Sequence, residues 1–251
     1  KTDIEYAMNL AKERIEHISN LPDDQLSYES VFKAIDDYDI ELSQANVYLE
    51  HLTSVRDTEP LRAAYKELNP RITDFYTQFF INAKLWHVVK KTAEKLQNAD
   101  LDRYQRRFID LTISQFKLNG ADLQDHEKQE FSEISIQITK LTDHFKTNVL
   151  DSTNAFELYV TDKAELEGLP ESALLQAAED AESKGHKGEY RFTLQFPSMQ
   201  PVLTYAKNEE LRKKIWEGST TIGHGGKHDN CNLILEILKL RNRKAELLGF
   251  K

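Results

Sequence analysis

The apolar positions of this chain fall mostly at helical spacing. In 28–56, Val31, Ile35, Tyr38, Leu42, Ala45, Leu49 and Leu52 alternate steps of four and three, which predicts one helix with a single apolar seam. Residues 70–98 repeat the pattern with Ile72, Tyr76, Phe79, Ala83, Trp86 and Val89. Pro70 suits the first turn of such a helix, where its missing N–H would have no helical partner. A third helix is expected over 101–118, closed by Asn119-Gly120, a pair that accepts the left-handed conformation of a C-cap. A fourth, 125–150, carries Phe131, Ile134, Ile138, Leu141 and Phe145 on one face. Helices return at about 208–217 and 230–248. The last is expected to start from Asp229 or Asn230 as N-cap, with Leu233, Ile237, Leu240 and Leu247 on one face.

The period changes in two places. FELYV (156–160) and YRFTLQF (190–196) are short and rich in β-branched and aromatic residues, and they are expected to pair as an antiparallel ribbon. Between them GLPESALLQAAEDAESKG reads as a helix, with Pro170 near its start and Gly185 after its end. The expected fold class is mainly α: an antiparallel long-helix domain with a small β-ribbon insertion at about 156–160 and 190–196. No repeat, low-complexity tract or Gly/Ser/Pro-rich linker divides the chain, so 1–251 reads as a single helical domain. The one loose stretch is GHGGKHDN, 223–230.

Composition agrees with this pattern. Glycine (9) and proline (6) are scarce and 30% of residues are charged, which favours long solvated helices over an all-β fold. The net charge of −9 argues against a nucleic-acid partner, since phosphate binding needs a basic stripe. No apolar run approaches the roughly 18 residues that span a bilayer, so no membrane segment is expected. The single cysteine, Cys231, has no internal partner, which points to a reducing, cytoplasmic setting. The chain opens KTDIEYAMNL, without an initiator Met or a signal-peptide core, and reads as trimmed.

Two stretches carry candidate chemistry. DHEKQEF (125–131) begins like the zinc-peptidase motif H-E-x-x-H, and His126 and Glu130 share a helix face four residues apart. That motif needs two imidazoles one turn apart on the metal, with the Glu between them as general base. A carboxylate at the fifth position does not supply it. Asp125 as N-cap and Glu127 in the first turn fit a solvated helix start instead. The second stretch, GHGGKHDNC, places His224, His228, Asp229 and Cys231 within eight positions, but at no standard zinc spacing, and a loop this rich in glycine would be floppy without metal. Its G-G-K lacks the strand before it and the Ser or Thr after Lys227 that a phosphate loop requires. His17, His51, His87, His144 and His186 are scattered singly. No G-x-S-x-G is present, and the aromatic run at 75–80 has the spacing of core or groove lining. The residues themselves thus define no catalytic, cofactor or metal site.

Several long segments carry more than pattern. HLTSVRDTEPLRAAYKELNP (51–70), NVLDSTNAF (148–156), GLPES (168–172), TLQFPSMQPVLTYAKNEELRKKIW (193–216) and DNCNLILEILKLRNRKAELLGF (229–250) resemble, in order and spacing, the N-terminal half of the oligopeptidase A and thimet oligopeptidase family. The resemblance runs from about residue 25 to 251. It implies a mostly helical zinc metalloendopeptidase that cuts short peptides in a channel between two halves. The N-terminal half is the helical wall. The C-terminal catalytic half carries H-E-x-x-H, where zinc acidifies a bound water and the motif Glu takes its proton. No H-E-x-x-H occurs in 1–251, so no catalytic or metal residue carries over. Zinc is expected in the parent enzyme and not in this chain, which alone is expected to be inactive. The expected partners are short peptide substrates and the C-terminal half. GSTTIG (218–223) departs from the family, placing Thr221 where an Arg is common. The rival expectation is a stand-alone, non-catalytic helical module that binds peptides or acts as a scaffold. A metal-sensing variant using His224, His228 and Asp229 is a third.

Overall fold

Helices account for nearly all the regular structure in the computed structural model, which describes residues 1–56 and 58–250. In chain order they are α1 (Thr2–Ser19), α2 (Ala34–Asp37), α3 (Ile40–Val55), α4 (Glu59–Ile81), α5 (Ala83–Lys95), α6 (Arg103–Leu118) and α7 (Asp125–Ala155). Strand β1 (Leu158–Val160), α8 (Glu171–Ser183), β2 (Tyr190–Phe192), α9 (Phe196–Tyr205), α10 (Glu209–Thr220) and α11 (Cys231–Leu247) follow. The mainly α expectation holds, including its small antiparallel ribbon. Leu158 pairs with Phe192, Tyr159 with Arg191 and Val160 with Tyr190. Each strand is shorter than the sequence suggested: Phe156 and Glu157 lie before β1, and β2 ends at Phe192, ahead of α9, which Phe196 opens.

The described residues form two compact units. One comprises residues 1–140 together with the stretch from Leu238 onward; the other is Leu141–Ile237. The division falls inside α7 and α11 and not in a linker.

In the first unit the core is built on aromatic contacts. Tyr38 stacks on Phe79 at 4.3 Å between ring centroids, and Trp86 stacks on Phe116 at 5.4 Å. The indole Nε1 of Trp86 donates to Asp122 at 2.7 Å, so burying this ring leaves no polar atom unpaired. Helix α1, which was not expected, contributes Ile4, Ala7, Met8, Ala11, Ile15 and Ile18, one buried helical face. Two expected helices are divided. The 28–56 segment starts as a π-wound turn, Tyr28–Lys33, runs through α2 and breaks at Asp39, whose backbone leaves the helical region. There the Asp39 carboxylate accepts the Tyr76 hydroxyl at 2.8 Å. The seam is buried as far as Leu42, whereas Leu52 is exposed. The 70–98 segment is two helices, α4 and α5. Pro70 lies inside α4, not in its first turn, because Pro60 opens that helix and burial is already under way at Leu68. Asn82 ends α4 and caps α5, its Oδ1 accepting from the amides of Lys84 and Leu85 at 3.0 Å each.

The C-terminal ends of α6 and α8 fall at the glycines where they were expected. Asp102 and Gln105 form a reciprocal capping box at the start of α6. At its end Gly120, at φ 90°, donates to Lys117, while the Ala121 amide reaches the Phe116 carbonyl at 3.0 Å. Gly185 ends α8 in the same way, with the His186 amide on Ala181 at 2.9 Å. In the second unit Val160, Leu166, Phe192, Val202, Leu211 and Ile215 make the core. Helix α9, FPSMQPVLTY, was not expected. Pro197 occupies its first turn, and Pro201 within it forgoes one helical hydrogen bond.

Candidate functional site

The DHEKQEF stretch folds as the start of α7. Asp125 is its first helical residue, and the cap is one position earlier than expected: the Gln124 amide donates to Glu127 at 2.9 Å. Glu130 is held by α11. The Arg243 guanidinium donates to both of its oxygens, at 2.6 and 2.8 Å, and keeps the carboxyl below the usual carboxylate range. A carboxylate committed to a bidentate arginine is not free to ligate a metal, so His126, Glu127 and Glu130 do not fit the zinc centre of an H-E-x-x-H peptidase. Nearby, Lys244 is half-buried. Its Nζ lies 4.2 Å from the Phe131 ring centre and 3.0 Å from Ser135 Oγ, and burial pushes its pKa down. The aromatic run at 75–80 is core: Phe75 and Phe79 are buried.

The 223–230 loop is anchored at both ends by hydrogen bonds. Its two ends are tied together, the Asn230 amide donating to the Gly223 carbonyl at 2.8 Å. Both ends are also tied to α7. The Gly223 amide donates to Ser152 Oγ at 3.1 Å, and Asn230 Nδ2 donates to the Phe145 carbonyl at 3.3 Å. Asn148 Nδ2 donates in turn to Asn230 Oδ1 at 2.9 Å. The side chain of Asn230 is therefore spent on α7 and does not cap α11, although its carbonyl accepts the first helical bond, from Ile234. A Cβ on Gly223 would lie 2.8 Å from Asn230 Nδ2, so this close approach requires glycine. Residues 226–228 make one 3₁₀ turn.

This framing brings His224, Asp229 and Cys231 together, with one ligand-type atom of each within 4.8 Å of the others. His224 Nδ1 is 3.4 Å from Cys231 Sγ and 4.0 Å from Asp229 Oδ1. The Gly225 amide donates to Asp229 at 2.9 Å and is the first cause of that carboxyl's low pKa. A hydrogen bond with Asp229 pushes the Cys231 thiol up. His228, which the sequence grouped with these three residues, is not in the cluster. The local spacing could not indicate this, because Asn148, 82 positions before Asn230, sets the loop's path. Thr221, at the expected arginine position, ends α10 and donates its hydroxyl to the Glu217 carbonyl at 2.7 Å.

Surface grooves in the first unit include one between Asn20 and His87 and another over Phe75. The larger, about 510 Å³, is lined by charges of both signs, including Lys12, Glu16, Arg71 and Asp74, over Phe75 and Phe79. Among the described residues, no helix is long and apolar enough to cross a membrane.

The sequence is similar to known proteins along its whole length. Residues 8–128 match the family model for the N-terminal domain of neurolysin and thimet oligopeptidase. Oligopeptidase A of Haemophilus influenzae is 33% identical over 252 residues, which cover 98% of this chain and 37% of that protein. The probable cytosolic oligopeptidase A of Arabidopsis thaliana is 37% identical over 209 residues, 81% of this chain and 30% of the relative. Oligopeptidase A of Escherichia coli is 32% identical over 252 residues, 98% of this chain and 36% of the relative. The chain thus spans only about a third of the length of these relatives.

Proposed function

Because the chain belongs to the oligopeptidase A and thimet oligopeptidase family and corresponds to its N-terminal part, we propose that it forms the channel-wall portion of a zinc metalloendopeptidase acting on short peptides. One observation carries this reading. Relatives named as oligopeptidases align with 98% of this chain while leaving nearly two thirds of their own length unmatched. The unmatched length is where a catalytic centre would reside, since 1–251 contains no H-E-x-x-H and its nearest approach, DHEKQEF, is given over to capping and to Arg243.

In this reading the contribution of the helical wall is steric. A narrow channel admits an extended peptide and excludes a folded protein, so substrates are selected by length and by lack of structure. The peptide, the catalytic half and the zinc are the partners proposed for the complete enzyme, and the cytoplasm is its proposed setting. No reaction step is assigned to residues of this chain.

The test has two arms. Chain 1–251 alone should not cleave a fluorogenic short peptide, with or without added zinc; cleavage abolished by a chelator would overturn its inactivity. Sequencing the source gene past the Lys251 codon should reveal an in-frame His-Glu-x-x-His. A stop codon there would replace this reading with that of a stand-alone peptide-binding module.

A further inference from the structure

The loop between α10 and α11 presents three side chains of different donor type to one point. His224 offers an imidazole nitrogen, Asp229 a carboxylate oxygen and Cys231 a sulfur, all within 4.8 Å of one another. Zinc bonds to these donors at about 2.0–2.3 Å in a tetrahedral arrangement, which puts neighbouring donors about 3.3–3.7 Å apart. The 3.4 Å between His224 Nδ1 and Cys231 Sγ falls in that range, and the 4.0 Å to Asp229 Oδ1 is a few tenths of an ångström beyond it. Imidazole, thiolate and carboxylate together suit zinc and cobalt(II) better than the hard, all-oxygen preference of magnesium or calcium.

The surroundings are also those of a ligand loop. The Gly225 amide orients the Asp229 carboxylate from outside the cluster. Asn230, between two of the three ligands, is fixed by the buried Asn148 and by Phe145. The cluster thus sits on a frame held in place by protein contacts alone, while His224 and Cys231 remain open to solvent. A nucleophilic Cys–His pair is a poorer fit, since the adjacent carboxylate opposes formation of the thiolate.

We propose that His224, Asp229 and Cys231 bind one zinc-class divalent cation, with water completing the coordination. Binding exchanges a proton for the metal: the Cys231 S–H bond breaks, an S–metal bond forms and H⁺ passes to solvent. The site is independent of the channel-wall reading and would stand if that reading failed.

Cobalt(II) is the probe, because its thiolate complexes absorb in the near ultraviolet. Chain 1–251, reduced and free of chelators, should bind one Co²⁺ with a sulfur-to-cobalt charge-transfer band that added Zn²⁺ removes. Cys231→Ser should abolish the band. His224→Ala should weaken Co²⁺ binding by more than about tenfold, because loss of a direct ligand costs at least as much as loss of a supporting residue. His228→Ala should leave both band and affinity unchanged. Ser at exposed Cys231, and Ala at exposed His224 and half-buried His228, should leave the helical circular dichroism intact. Absence of the band, a band that survives in Cys231→Ser, or equal losses in His224→Ala and His228→Ala would each overturn the proposal.

Discussion

Asn148 of α7 donates its side-chain amide to Asn230 at the entrance to α11 at 2.9 Å, and both residues are buried, at 7% and 2% relative exposure. Asn230 passes the connection on to the Phe145 carbonyl. Removing one partner of a buried hydrogen bond leaves the other desolvated and unpaired, at a cost of about 1–3 kcal/mol. Asn230→Ala should therefore lower stability by about that amount, and Asn148→Ala by slightly less, since Asn230 would keep its bond to Phe145. The double variant should lose less than the sum, because the second change removes a group already orphaned. Urea midpoints of the four proteins would measure this coupling. Strict additivity would mean that the two amides do not support one another.

Gly168 makes a different demand on the chain. It has φ 96°, and a Cβ there would lie 2.3 Å from the backbone oxygen of Tyr205, which cannot swing away as a side chain would. The Lys207 amide, bonded to the Glu167 carbonyl at 2.8 Å, holds these two segments together. Gly185 has a similar φ, 87°, but open space around the site of its Cβ. Gly185→Ala should cost only the left-handed conformation, about 1–2 kcal/mol. Gly168→Ala adds overpacking of about 1–3 kcal/mol to the same conformational term. The comparison of the two midpoints isolates the contact, and equal losses would show that the Tyr205 segment can move aside.

These residues mark the limit of what the sequence reveals. Helix ends set by local chemistry were legible: Gly120 and Gly185 are the left-handed caps expected of them, and the β-branched and aromatic runs do pair as Leu158–Phe192 and Val160–Tyr190. Features set by distant residues were not. Pro70 looked like a helix start because the proline signal outweighed Leu68, whose burial depends on tertiary packing. Two prolines in FPSMQPVLTY argue against a helix, yet the segment is helical and its Val202 is fully buried. Helix α1 hid its stripe behind Ala7 and Ala11, small residues that weigh little in a hydrophobic pattern. In the 223–231 loop the ligand-type residues were visible but their grouping was not. Asn148 sets the path that brings Cys231 to His224 and leaves His228 aside.

Arg191 on β2 ties three elements of the second unit together. Its guanidinium reaches Glu157, just before β1, at 2.8 and 3.0 Å, and Asp180 on α8 at 3.0 Å, while its own side chain is only 13% exposed. Its hydrogen bonds lower the Glu157 carboxyl below the ordinary value of 4.5. A carboxyl lowered on folding stabilises the protein fully above its unfolded value, and that contribution is lost as pH falls through the folded value. The ion pair should therefore support the fold at neutral pH and fade under acid, below the ordinary glutamate range. Arg191→Met should lower the urea midpoint at neutral pH, and the gap to the parent should narrow as the solution is acidified. Arg191→Lys keeps the charge but not the planar fork that spans Glu157 and Asp180, so it should fall between the two. A gap that stays constant from neutral to acid pH would assign the loss to packing of the arginine stem and not to its charge.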